Sequence, residues 1–95
     1  MVSVASLPMK LTAEFLGTFL LMISILASGG NAIIIGLTFA LIIFLTGGIS
    51  GAAVNPAVSL GLWYSGSLST AVLFSYIAVQ LIGAVSGAYF YRIVA

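Results

Sequence analysis

Apolar residues dominate the chain with neither a helical stripe nor a strand-like alternation, so its elements are read from the places where the apolar runs break. From Met9 to Ala27 the run is nearly continuous, and it stops at Ser28-Gly29-Gly30-Asn31. Pro8 suits the start of a helix, because it fixes φ and lacks an N–H that would be unpaired there anyway. About 20 apolar residues cross a bilayer, so a first span is predicted over about 9–28. An uncleaved signal sequence is the alternative, but the run is longer than a signal core and holds Glu14 inside it. A second span is predicted over about 32–46, rich in Ile and Leu and short for a full crossing. A third runs over about 69–91, with Ser69 as its N-cap. Tyr89, Tyr91 and Arg92 at its end read as interfacial anchors.

The stretch from Gly47 to Val54 is apolar and uncharged, yet too rich in glycine for a stable helix. It leads into Asn55-Pro56, an N-cap followed by proline at the first helical position. Ser65-Gly66-Ser67 ends that helix near Tyr64. Ten residues reach about 15 Å, half the thickness of the hydrocarbon core. An extended lead-in and a half-length helix over about 47–64 describe a re-entrant segment. Irregular backbone at membrane depth survives only where protein buries it or where it lines a wet cavity. The pattern therefore predicts an all-α integral membrane protein of three transmembrane helices and one re-entrant half-helix.

Charge strengthens that reading and removes others. Of 95 residues 63% are hydrophobic, and the only charged ones are Lys10, Glu14 and Arg92. Soluble domains carry charge at about a quarter of their positions. Two basic residues do not neutralise a phosphate track, so nucleic acid is no expected partner. The absence of Cys and His leaves no expected metal site or cofactor. A single carboxyl group has no partner for acid–base catalysis, so no enzymatic activity is expected. The expected surroundings are the lipid bilayer, as a multi-pass protein of the cell membrane. Lys10 flanks one side of the three spans and Arg92 the other, so the positive-inside rule gives no preferred orientation.

Several residues invite a plain reading beside a functional one. Asn55 caps a helix whether or not it meets a solute. Gly83 and Gly87 form a small-xxx-small pair suited to helix packing, and Gln80 reads as a hydrogen bond between helices. Phe15, Phe19 and Trp63 read as packing or lipid-facing residues. Glu14 is different, because a carboxylate within a span costs about 2.5–3.5 kcal/mol or more and is by default functional or tightly held.

Three stretches, in order, resemble the first half of an aquaporin or aquaglyceroporin, the major intrinsic protein family. They are Ala13-Glu14-Phe15-Leu16-Gly17-Thr18-Phe19, then Ser50-Gly51 with Asn55-Pro56-Ala57-Val58-Ser59 and Gly61-Leu62-Trp63, then Tyr76 to Gly83 with Gln80. The resemblance covers Lys10 to about Arg92. It implies two such halves, inverted relative to each other, with two half-helices meeting at mid-membrane. Here it implies an inverted second copy: an antiparallel homodimer as the pore unit, and a fourfold grouping of such units into eight chains. It further implies a passive channel for water and small neutral solutes such as glycerol. Asn55, Pro56 and Ala57 would stand at the pore centre, with carbonyls of Gly51, Ala52 and Ala53 as pore-lining backbone. Glu14 would brace the loop from behind, and Leu21 would offer a lumen side chain.

Departures from the family pattern bear on selectivity. Val58 stands where the family's second half has an Arg after Asn-Pro-Ala, Ile35 stands at an aromatic filter position, and Ala53 replaces a usual His. A constriction of Ile35, Ala52 and Val58, repeated at both mouths, would be apolar and uncharged, which predicts tolerance of glycerol beside water. A different class also fits part of the sequence. Small multidrug transporters are short, dual-topology and proton-coupled through one first-helix Glu, as Glu14 would be, but lack the Asn-Pro-Ala segment and the three-span count. A third reading is a half-channel that assembles with a full-length relative.

Overall fold

The computed structural model describes residues 4–95 and holds four helices: α1 (Leu7–Ala27), α2 (Ala32–Ser50), α3 (Pro56–Tyr64) and α4 (Thr70–Val94). Three of them, α1, α2 and α4, are long and apolar enough to cross a membrane. Each begins on a side-chain cap. Ser6 accepts from the Met9 N–H, Asn31 from the Ile33 and Ile34 N–H groups, Asn55 from the Ala57 N–H and Ser69 from the Val72 N–H. Each cap satisfies donors that a helix start leaves without an internal partner.

Two predicted boundaries need correction. The second span does not stop at Thr46 but runs through Gly47 and Gly48 to Ser50. Glycine costs a helix about 1 kcal/mol per residue in water. In hydrocarbon an unpaired peptide group costs several, so the helix persists until it is capped. The cap is Gly51, whose φ of 86° lets its N–H return to the Gly47 carbonyl. The third span likewise continues past Tyr91 to Val94, which places Arg92 in the last turn, where a cation suits the helix dipole.

Helix α1 is the hub, packing against α4 on one side and α2 on the other, while α3 packs against α4. The α1–α4 seam is set by glycine. A Cβ on Gly83 would lie 2.7 Å from the Phe15 carbonyl oxygen, and one on Gly87 would lie 2.6 Å from that of Phe19. Residue numbers rise together along this contact, so α1 and α4 run parallel, α2 runs antiparallel to α1 on its other side, and Lys10 and Arg92 end on opposite sides. The bundle is 38 Å long, enough to span the hydrocarbon core of about 30 Å. Hydroxyls within the spans bond back to their own helices, as Thr18 does to the Glu14 carbonyl and Thr46 to that of Ile42. Among the described residues, no buried side-chain nitrogen or oxygen lacks a partner.

Candidate functional site

Residues 51–54 link α2 to α3 with no regular structure. Three of the four have positive φ: Gly51 at 86°, Ala52 at 51° and Val54 at 40°. Such backbone needs an external hold, and Glu14 supplies it from the second turn of α1. Its side chain is fully enclosed and accepts four hydrogen bonds. One oxygen takes the Ser50 hydroxyl at 2.6 Å and the Ala53 N–H at 3.1 Å; the other takes the Val54 N–H at 2.7 Å and the Gln80 amide at 2.8 Å. Gln80 also donates to the Ser59 hydroxyl on α3 at 2.7 Å. Tyr76 donates to the Ser50 carbonyl at 2.7 Å. One carboxyl group thus ties the end of α2, the loop, α3 and α4 to α1.

This anchoring decides where the loop carbonyls point. All peptide bonds here are trans, so each C=O lies opposite the N–H of the same unit. With the Ala53 and Val54 N–H groups aimed at Glu14, the Ala52 and Ala53 carbonyls point away from it. The Ala52 N–H meets the Ser50 hydroxyl at 3.3 Å, which turns the Gly51 carbonyl away from that hydroxyl. Exposure then separates the three. Gly51 is exposed, Ala52 is 7% exposed and Ala53 only 1%. Of the three residues only Gly51 is exposed in the single chain.

Asn55 caps α3 with its side-chain oxygen, which accepts from the Ala57 N–H at 2.8 Å. Its amide nitrogen has no partner among the described residues and the residue is exposed. Asn55 and Pro56 line an open hollow of about 220 Å³ with Leu21, Thr18 and Gln80. Leu21 and the Asn-Pro start are therefore brought together, and Ala57 and Val58 lie exposed on the first turn of α3. Trp63 donates from its ring nitrogen to the Thr70 hydroxyl at 3.0 Å, which fixes the turn between α3 and α4.

Ile35 stands apart. A Cβ on Gly17 would meet Ile42 at 3.1 Å, so antiparallel α2 carries Ile35 to the level of about Ser24. Ser59 reaches Glu14 through Gln80. Ser59 and Tyr76 lie within the family-like stretches without a role assigned from the sequence, and Val54 lies outside them. A hydroxyl in the middle of an apolar span is the signal that would have found the first two, since each needs a partner.

Comparison with known proteins places these features. The chain matches the sequence profile described as Major intrinsic protein over residues 2–95. It is 41% identical over 93 residues to Aquaporin Z of Brucella melitensis, an alignment covering 83% of the chain and 41% of that protein. It is 38% identical over 84 residues to Glycerol uptake facilitator protein-like 6 of Lactiplantibacillus plantarum, covering 80% and 39%. A shorter match, 42% identical over 53 residues, is to Probable aquaporin PIP2-7 of Oryza sativa, covering 56% of the chain and 18% of that protein. The chain spans about two fifths of the length of the first and second of these relatives. No solved structure gives a significant match.

Proposed function

The chain belongs to the major intrinsic protein family, and from that premise we propose that it forms a passive channel for water and small neutral solutes such as glycerol, its pore closed by an antiparallel second copy. The observation that carries this reading is the Asn55 amide, uncommitted and exposed at the start of a half-length helix, beside carbonyls turned away from their anchor. A solute with a hydroxyl donates to the carbonyls of Gly51 and Ala52 and accepts from Asn55. In an inverted pair two α3 starts face each other, and each helix N-terminus carries about half a positive charge. Cations are repelled there. A water that accepts from both Asn55 amides has its own donors turned aside, which interrupts proton hopping. The balance of Lys10 and Arg92 supports insertion in both orientations. Glu14 is enclosed, with its oxygens already bonded, which suits a brace and leaves no open side for a transported cation.

The test is the rate of volume change of proteoliposomes in water and glycerol gradients, for wild type, Val58→Arg and Val58→Ala at matched protein density. Val58→Arg adds a guanidinium to each mouth and lowers the glycerol-to-water ratio; Val58→Ala widens the passage and raises it. Equal ratios in all three remove Val58 from the constriction. Wild-type vesicles no faster than empty ones in either gradient contradict the channel reading itself.

A further inference from the structure

Val54 carries two features that are seldom found together. It is a β-branched residue at a φ of 40°, where branched side chains are true outliers, and it is 2% exposed. Backbone of this kind persists only where its surroundings over-determine it. Its N–H is bound to Glu14, but glycine would make the same bond at the same φ without strain. The side chain must therefore contribute something that glycine would not.

What it contributes is a wedge. The Val54 Cγ1 fills a notch over Gly17, where a Cβ would lie 2.6 Å from it, and Ile42 closes the notch from α2. The wedge stands immediately before Asn55, whose oxygen is held by its own helix while its amide is free. Building on the channel reading, we propose that Val54 is a positioning residue: seated in the Gly17 notch, it sets how far Asn55 projects into the passage, and so sets the discrimination among water, glycerol and protons. With almost none of its surface exposed, Val54 acts through Asn55 rather than as a contact of the solute.

The notch allows a compensating pair. Val54→Ala empties it while keeping a Cβ, which this loop tolerates at Ala52 with a φ of 51°. Gly17→Ala forces a methyl against Val54. Gly17→Ala with Val54→Ala refills the notch from the α1 side. The measurement is glycerol-to-water permeability ratio and proton leak in proteoliposomes, with thermal unfolding alongside. Each single variant should shift the ratio by about fivefold and raise the proton leak, and the double variant should return both towards wild type. Val54→Thr keeps the shape of the wedge but buries a hydroxyl; it should hold the wild-type ratio at a lower unfolding temperature, and serves if Gly17→Ala fails to fold. A conducting wild type with Val54→Ala at the same ratio and leak, however altered its stability, overturns the positioning role and leaves the channel reading intact. A wild type that conducts neither water nor glycerol overturns both.

Discussion

Helix α1 is held on two faces by opposite means. Towards α4 the contact is dry and steric: Gly83 and Gly87 let the helices approach until a methyl group would meet the Phe15 and Phe19 carbonyls. Towards the loop the contact is polar, with Glu14 accepting four hydrogen bonds from three other segments. The difference follows from the solvent. Hydrocarbon gives two regular helices no hydrophobic drive to associate, so close packing does that work. Where backbone leaves the helix, every freed N–H must be met, and a buried acceptor becomes worth its desolvation. The steric face holds helices; the polar face holds a strained loop in a shape that helices alone do not make.

Breaking the polar face should cost most. Glu14→Gln replaces one acceptor with a donor facing donors, leaving two groups unmatched at about 1–3 kcal/mol each. Against a total stability of about 5–15 kcal/mol, that is a large fraction, so both the unfolding temperature and the monodisperse yield in detergent should fall. A Glu14→Gln protein of normal yield and unfolding temperature would mean the loop is held by something else. Next comes the steric face. Gly83→Ala should destabilise by about 1–3 kcal/mol through overpacking. Gly61→Ala on α3, where a methyl meets nothing within 4 Å, should be neutral or stabilising by about 0.5–1 kcal/mol. Equal unfolding temperatures for the two would dissolve the contrast. The smallest effect belongs to the rim of the polar cluster. Ser59→Ala removes one partner of Gln80 but leaves its bond to Glu14, and should cost about 0.5–1.5 kcal/mol in the same unfolding assay.

The two faces also differ in how far they could be read from the chain. Gly83 and Gly87 sit at a spacing that announces a packing seam, and Asn55-Pro56 and Ser69 announce helix starts, because these signals are local. Glu14 announced itself by the cost of its position. Its partners did not, since Ser50, Val54 and Gln80 lie 36 to 66 positions away and no local pattern pairs them. Gly47 and Gly48 misled for a physical reason: their helix cost is measured in water, whereas the choice here lies between helix and unpaired backbone in lipid. Val54 was the least legible. Nothing in a valine predicts a positive φ, which arises only once Glu14 binds its N–H and Gly17 receives its side chain.

The proposed pore joins this half-repeat to an inverted copy of itself, and topology tests that most directly. Wild type contains no Cys, so Val4→Cys and Ala95→Cys can each be labelled separately in intact cells with an impermeant thiol reagent, before and after the interior is opened. Two populations at each position, one labelled from outside and one only after opening, are the predicted result. If each position is reached from one side alone, with Val4→Cys and Ala95→Cys on opposite sides, the chain has one orientation and the antiparallel pore is contradicted.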